Sequence, residues 1–216
     1  MFHLLRTLIL SAAAACFGVG CSPASNGTEA NEAGGSPAPE ASGELATAVL
    51  GAGCFWCVEA FYERLDGVRE VISGYAGGEK QNPTYAEVSR GETRHAEAVK
   101  IFYDPDVVSY RELIDFFWKT HDAGRGDGVW PDFGPQYRSM LLYQSETEKE
   151  VIRASKQAHE DDKNIEVATE IKALNAFYPA EEYHQDFAEK NPDNSYVRRI
   201  LNPKLKKLGF EVNPDD

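Results

Sequence analysis

The stretch Gly51-Ala52-Gly53-Cys54-Phe55-Trp56-Cys57-Val58-Glu59 joins two patterns that together decide the fold. Upstream, residues 48–53 are short, apolar and end in glycines, which is typical of a strand that runs into a tight turn. Downstream, residues 54–65 repeat apolar side chains at helical spacing, namely Phe55, Val58, Phe61, Tyr62 and Leu65. The sequence therefore predicts a strand, a glycine turn and a helix that begins at Cys54.

Cys54 is expected to be a reactive thiol because it starts this helix. Unpaired backbone N–H groups and the positive end of the helix dipole both favour a thiolate, so we expect the pKa of Cys54 to be lowered. Cys57 follows one turn later on the same face, within reach of a disulfide. The pair suits a dithiol that cycles with a disulfide. The alternative is a static structural bond, but closing so small a loop constrains the unfolded chain little. A zinc site is not expected, because no second cysteine pair accompanies this one.

Strands and helices continue to alternate outward from this centre. Further strands are predicted over residues 68–75, 96–103, 139–143 and 167–174, and further helices over residues 109–119, 147–159, 181–190 and 196–208. The helix at 109–119 has Ser109 as its N-cap, with Glu112 three residues later. The strands at 68–75 and 96–103 are separated by a loop rich in Gly, Asn and Pro. This succession predicts an α+β sandwich with a mixed, partly antiparallel sheet rather than a doubly wound parallel sheet.

Glu97 is a candidate acid on the predicted strand at 96–103. By the period of two, its side chain shares a face with three apolar residues, Val99, Ile101 and Tyr103. A carboxyl on an apolar face is costly to ionise, so its pKa should rise and it can act as a general acid near neutral pH. The alternative is a solvated glutamate on an exposed face. His95-Ala96-Glu97 also resembles part of a zinc deaminase signature, but the cysteine pair lies upstream and lacks the preceding proline.

Two tyrosines, Tyr85 and Tyr137, lie in segments that read as loops, after Asn82-Pro83-Thr84 and Gly134-Pro135-Gln136. Tyrosines in such places often line a site, although most aromatic residues simply fill a core. The histidines without partner spacing, His121, His159 and His184, are expected at the surface or in an ordinary hydrogen bond.

The composition excludes several classes of protein. The 216 residues carry a formal charge of −13, which argues against a nucleic-acid-binding protein and is compatible with a monomer. Four cysteines are too few for a disulfide-stapled scaffold of this length. The chain is long enough for one domain with tails.

The first 46 residues are expected to lie outside the folded domain. Residues 1–21 combine Arg6 with a short apolar run and read as a secretory signal. The run Gly18-Val19-Gly20-Cys21-Ser22 resembles a lipoprotein cleavage box, so Cys21 is a candidate for lipid attachment, with plain cleavage and secretion as the alternative. Residues 22–46 are mostly Ala, Gly, Ser and Pro with four glutamates, which predicts a disordered tether. We therefore expect a domain at 47–216, exported to a bacterial periplasm or held in the cell envelope as a lipoprotein.

Seven linked motifs resemble those of the A-type peptide methionine sulfoxide reductases over about residues 47–190. They are Gly53-Cys54-Phe55-Trp56 with Glu59, Gly74-Tyr75-Ala76-Gly77-Gly78, Asn82-Pro83-Thr84-Tyr85 with Val88, His95-Ala96-Glu97-Ala98-Val99, Tyr103-Asp104-Pro105, Phe117-Trp118 with His121-Asp122, and Asp132-Phe133-Gly134-Pro135-Gln136-Tyr137-Arg138-Ser139. Several linked motifs in one order are a specific signal, whereas a lone CxxC would be a weak one.

The resemblance implies a ferredoxin-like α/β sandwich and the reduction of methionine-S-sulfoxide, free or in proteins, as repair of oxidative damage. By the same resemblance, Cys54 is the catalytic cysteine and Glu97 is the acid that protonates the sulfoxide oxygen. Tyr85 and Tyr137 are the hydroxyls that bind that oxygen. Three residues would bind the rest of the substrate: Phe55 and Trp56 hold its methyl group, and Asp132 positions it. A thioredoxin-like reductant is implied, and no cofactor or metal.

Two departures from the family pattern bear on the site. Cys57 stands where many members have glycine, and no cysteine follows it, so we expect Cys57 to resolve the Cys54 sulfenic acid. Residues 124–131, ahead of Asp132, also differ from the commonest pattern. Two other functions remain open at this point: a thiol–disulfide oxidoreductase of the thioredoxin kind, and a non-catalytic binding domain of a surface lipoprotein.

Overall fold

The computed structural model describes residues 43–212, so the predicted signal segment, Cys21 and most of the predicted linker lie outside the described residues. The first strand begins at Ala46, one residue before the predicted domain boundary. Within the described range, no helix has both the length and the apolarity that crossing a bilayer requires.

A six-stranded sheet forms the centre of residues 43–212. Its strands are β1 (Ala46–Ala52), β2 (Val68–Ala76), β3 (Ala96–Tyr103), β6 (Ser139–Tyr143), β7 (Glu170–Ala173) and β8 (Phe177–Pro179), in the spatial order β7-β6-β1-β3-β2-β8. The β6–β7 pair is parallel and the other four pairs are antiparallel. A separate two-stranded hairpin pairs β4 (Gly128–Val129) with β5 (Asp132–Phe133).

In the part of the chain that the structure describes, six α-helices accompany these strands: α1 (Phe55–Tyr62), α2 (Tyr85–Ser89), α3 (Tyr110–Thr120), α4 (Glu146–Lys163), α5 (Phe187–Lys190) and α6 (Asn202–Lys207). Short 3-10 helices lie at Pro135–Tyr137 and Glu182–His184, and a π-helical turn spans Val197–Leu201. The predicted N-cap of α3 is confirmed, because the backbone N–H of Glu112 donates to Ser109 Oγ and the Glu112 carboxylate accepts from the N–H of Ser109.

The core lies mainly between one face of the sheet and the helices. Leu50 of β1 and Ile101 of β3 pack in one buried cluster with Phe61 of α1, Phe117 of α3 and Leu205 of α6. The opposite face of the sheet carries a smaller buried cluster, with Val49, Ala98, Met140 and Leu142 at its centre. One sheet therefore separates two buried clusters. The predicted α+β, ferredoxin-like class is confirmed.

The C-terminal third departs from the predicted helices. The helix expected at 181–190 is a 3-10 turn followed by α5, because Asp186 has a left-handed φ of 53° that interrupts the helix. The helix expected at 196–208 begins as the π-helical turn, since Pro203 has no N–H to donate to residue 199 and its ring crowds that carbonyl. The strand expected at 167–174 is shortened to β7.

Tyr85 does not lie in a loop, contrary to the sequence prediction. It is the first residue of α2, which is capped at Thr84: the N–H of Thr84 donates to the Glu87 carboxylate at 3.0 Å. The Thr84-x-x-Glu87 spacing was readable in the sequence as a capping box. Tyr137, at the end of the 3-10 helix Pro135–Tyr137, is likewise held by local backbone structure.

Candidate active site

The turn before Cys54 depends on a glycine. Gly53 has a φ of +89°, and a Cβ at this position would lie 2.7 Å from Cβ of Val129 on β4. Only glycine meets both conditions without strain. Cys54 then serves as the N-cap of α1, and its carbonyl accepts hydrogen bonds from the N–H groups of Cys57 at 3.1 Å and Val58 at 3.3 Å. The predicted placement of Cys54 at a helix N-terminus is therefore confirmed.

Glu97 is held close to Cys54 by a hydrogen bond from the backbone of Phe55, the first residue of α1. Its Oε2 accepts a hydrogen bond from the N–H of Phe55 at 2.9 Å, and its residue is only 2% exposed. Burial raises the pKa of Glu97 to about 8, against the lowering effect of the Phe55 hydrogen bond. The predicted rise in the pKa of Glu97 is confirmed, and burial is its largest cause.

The predicted lowering of the Cys54 pKa is wrong. Burial raises the pKa of the Cys54 thiol well above its usual range, and a hydrogen bond to Cys57 and the charge of Glu97 act in the same direction. The pKa of Cys57 is lowered instead, chiefly because Cys57 accepts that hydrogen bond. Burial is the largest cause of the raised Cys54 pKa, and the expectation of a lowered pKa rested on the helix N-terminus without burial.

Tyr196 connects Cys57 to Asp132. The Cys57 thiol lies 3.7 Å from the Tyr196 hydroxyl, which donates a hydrogen bond to the Asp132 carboxylate. Asp132, on β5, is partly buried, and burial raises its pKa. Lys204 lies near enough for its charge to lower the pKa of both Cys57 and Asp132. The structure thus brings Asp132 to the cysteine pair through a tyrosine that sequence reasoning missed.

An aromatic cage surrounds Trp56. Its ring is stacked on Phe187 with centroids 3.6 Å apart, and Tyr196 meets it edge-on at 5.8 Å. Trp56 Nε1 donates to His184 Nδ1 at 3.1 Å, and the His184 ring lies 5.0 Å from Phe55. His184 makes the ordinary hydrogen bond expected of it, but it is buried and forms part of the cage.

The same neighbouring charges affect the pKa values of Tyr85 and Tyr137. Burial raises the pKa of Tyr85 to about 12 and also raises that of Tyr137, and in both cases the next cause is the charge of Glu97, with Cys54 contributing as well. Both hydroxyls therefore stay protonated at neutral pH and can donate hydrogen bonds. Glu181 holds Tyr85 in place, since its carboxylate accepts from the N–H of Tyr85 at 2.9 Å and from the Tyr75 hydroxyl at 2.8 Å.

Glu59 ties α1 to the segment that carries the cage. It is buried, its Oε2 accepts from the N–H of Phe187 at 3.4 Å, and burial raises its pKa to about 7. Oε1 has no hydrogen-bond partner.

No spacing pattern in the sequence predicts that Phe187, His184 and Tyr196 belong to the site. An irregular C-terminal segment brings these residues to Trp56 by tertiary packing.

The remaining histidines make ordinary contacts. His121 Nε2 lies 2.7 Å from Ser139 Oγ, and burial lowers the pKa of His121 to about 4. His159 stacks on Trp118. Across residues 43–212, no three His, Cys, Asp or Glu side chains are grouped so that they could hold a metal ion.

Comparisons with known proteins agree on one family. The family model described as peptide methionine sulfoxide reductase matches residues 46–214. A peptide methionine sulfoxide reductase MsrA of Natronomonas pharaonis is 47% identical over 165 residues, which is 76% of this chain and 93% of the relative. The enzyme of the same name from Nautilia profundicola is 48% identical over 161 residues, 74% of this chain and 92% of the relative.

Solved structures agree with the sequence relatives. Reduced Mxr1 from Saccharomyces cerevisiae superposes with a TM-score of 0.66 at 35% identity, covering 69% of this chain and 87% of that one. Methionine sulfoxide reductase A of Corynebacterium diphtheriae superposes with a TM-score of 0.63 at 31% identity, covering 69% of this chain and 76% of that one. The resemblance in the sequence is confirmed: this chain belongs to the peptide methionine sulfoxide reductase family.

Proposed function

We propose that this oxidoreductase reduces methionine-S-sulfoxide, free and in proteins, to methionine through a sulfenic acid on Cys54. The observation that carries the proposal is the junction at the start of α1, where the buried Cys54 directly precedes the N–H that binds the buried Glu97 carboxyl, and burial raises the pKa of this carboxyl to about 8. A nucleophile and an acid in that arrangement suit the removal of an oxygen atom from sulfur.

In the first step, the sulfur of Cys54 attacks the sulfoxide sulfur as its proton passes to the Glu97 carboxyl. Glu97 gives a proton to the sulfoxide oxygen, with Tyr85 and Tyr137 donating hydrogen bonds to that oxygen. The oxygen leaves the substrate as part of the Cys54 sulfenic acid, and methionine is released. Methionine sulfoxide is reduced and the thiol is oxidised by two electrons, while the proton lost by Cys54 restores the proton of Glu97.

In the second step, Cys57 attacks the sulfenic sulfur, and the oxygen takes up the proton that Cys57 loses and leaves as water when the disulfide forms. Two observations support this role. Cys57 lies one turn after Cys54, and among the causes that lower the pKa of Cys57 is the charge of Lys204, which does not depend on the Cys54 thiol. A dithiol donor of the thioredoxin kind then reduces the Cys54–Cys57 disulfide by exchange.

Stereochemical choice follows from the two different sides of the site. A methyl group suits the apolar rings of the cage, which are those of Phe55, Trp56 and Phe187. The oxygen needs the hydrogen-bond donors Glu97, Tyr85 and Tyr137. A pyramidal sulfur places these substituents at fixed positions, so only one epimer can satisfy both sides. To Asp132, which accepts a hydrogen bond from Tyr196, we assign the positioning of the substrate.

The test is a single turnover of the pre-reduced full chain with separated epimers of N-acetylmethionine sulfoxide, followed by peptide mapping. We expect methionine from the S epimer alone and a Cys54–Cys57 disulfide in the enzyme. The variant Cys57→Ser should still give one methionine and stop as a sulfenic acid, whereas Cys54→Ser should give none. Methionine from neither epimer, together with reduction of insulin disulfides, would instead support a thiol–disulfide oxidoreductase.

We also propose, from the sequence of residues 1–46, that the enzyme is exported and tethered to a membrane through a lipid on Cys21. Tethering would keep the repair domain in the cell envelope. Detergent partitioning and the mass of the mature N-terminal peptide test this, with Cys21→Ser as the control. A mature chain that starts downstream of Cys21 would contradict the tether but not the export.

A further inference from the structure

A groove beside the active site combines positive charge with exposed apolar surface. It has a volume of about 680 Å³ and lies between the end of α3, the β4–β5 hairpin and the C-terminal helical segment. We call it the basic groove. The lining residues that matter below are Lys119, Val129, Trp130, Arg199, Lys204 and Lys207.

The groove is positively charged, whereas the whole chain is negatively charged. The formal charge of the chain is −13, yet residues 197–208 contain five Lys or Arg residues and no Asp or Glu. Among the described residues, Lys119, Arg199, Lys204 and Lys207 have no carboxylate within 4.0 Å. Asp122 is the acidic residue on the groove wall, and Arg125 is paired with Asp127. An unbalanced cluster of cations on an acidic protein favours an anionic partner.

The groove is continuous with the catalytic residues. Val129 on its wall packs directly against Gly53, the residue before Cys54. The same hairpin carries Asp132, which is bonded to Tyr196 at the edge of the cage. Lys204, on the opposite wall, acts electrostatically on Cys57 and Asp132. A polypeptide that leaves the site past Asp132 would therefore enter the groove.

We propose that the basic groove binds acidic side chains that flank the oxidised methionine in polypeptide substrates. The inference rests on the proposed function and names its substrate class: methionine sulfoxide in acidic sequence segments. Trp130 is 62% exposed and offers an apolar surface for the chain between the charges. A polypeptide substrate is favoured over the electron donor as occupant, because the hairpin that forms one wall also carries Asp132, to which the proposed function assigns the positioning of the substrate.

The test compares two peptides of equal length, one with two glutamates on each side of methionine-S-sulfoxide and one with two lysines on each side. The full chain is assayed with dithiothreitol as reductant, so that no protein donor takes part. For the wild type we expect a KM for the acidic peptide that is lower by roughly three- to tenfold, with similar kcat, and a preference that shrinks as salt is raised. The double variant Arg199→Glu/Lys207→Glu should reverse the KM ratio.

The matched control is Arg153→Glu/Lys163→Glu, which makes the same change in net charge on α4, outside the groove. It should keep the wild-type KM ratio. Equal KM values for the two peptides in the wild type, or equal shifts in both double variants, would overturn the proposal. The assay is repeated with thioredoxin as reductant, and a KM shift that is present there but absent with dithiothreitol would also overturn the proposal and assign the groove to the donor. Failure to reduce N-acetylmethionine sulfoxide would count against the proposed function itself.

Discussion

The raised pKa of Glu97 suits it to act as an acid and also lowers the stability of the fold at high pH. Its carboxyl has a pKa of about 8 in the folded chain, whereas an unfolded glutamate has a pKa near 4.3. The folded state therefore holds one more proton between these values, and its stability falls as the pH rises through that window. The cost reaches its full size above pH 8, on the order of 3–5 kcal/mol.

We accordingly expect Glu97→Gln to stabilise the fold at high pH while abolishing efficient turnover. The amide oxygen can still accept the hydrogen bond from the N–H of Phe55, so the packing is kept. Urea unfolding at pH 5 and pH 9 measures the effect, with the exposed Glu150→Gln on α4 as control. An unchanged difference between wild type and Glu97→Gln at the two pH values would contradict it.

Tyr196 is expected to serve the second chemical step rather than the first. Tyr196→Phe keeps the ring against Trp56 but removes the hydroxyl that lies between Cys57 and Asp132. Since that hydroxyl helps to lower the pKa of Cys57, its loss should lengthen the lifetime of the Cys54 sulfenic acid several-fold. Trapping with dimedone during single turnover measures this lifetime. A slower release of methionine with no additional trapped sulfenic acid would place Tyr196 in substrate binding instead.

At the scale of elements, the turn between β1 and α1 is the most constrained connection. Gly53→Ala places a Cβ at a positive φ and against Val129, so we expect a loss of about 1–3 kcal/mol in stability and at least tenfold in single-turnover rate. Ser109→Ala removes the cap of α3, far from the cysteine, at a cost of about 1 kcal/mol. It should leave the rate intact. Equal losses of rate in both variants would show that stability, not the position of Cys54, governs activity.

Elements with a local signal were predictable, and those set by packing were not. The strand–turn–helix around Cys54 and the cap at Ser109 follow from neighbouring residues alone. The cage residues His184, Phe187 and Tyr196 come from a segment broken at Asp186 and reshaped before Pro203, so no single period reveals them. The predicted lowering of the Cys54 pKa is wrong because the sequence shows the helix N-terminus but not the burial, which is the largest cause of the raised pKa.

At the scale of the whole molecule, the candidate site lies within the span from Cys54 to Lys204. We therefore expect a chain that starts at residue 43 to keep the thermal midpoint and single-turnover rate of the full chain. Differential scanning calorimetry and the epimer assay are the measurements. A loss of rate on truncation would mean that residues 1–42 contribute to the site.

The hydrogen bond from Phe55 to Glu97 has a consequence for how charge moves during the reaction. The same helix end serves both nucleophile and acid, and each negative charge there raises the free energy of placing the other. When Cys54 attacks, Glu97 takes up the thiol proton as it gives its own proton to the sulfoxide oxygen, so neither a thiolate nor a carboxylate has to persist in the buried site. The step adds no net charge there, and the surroundings need only accommodate the transfer of a proton, never an added ion.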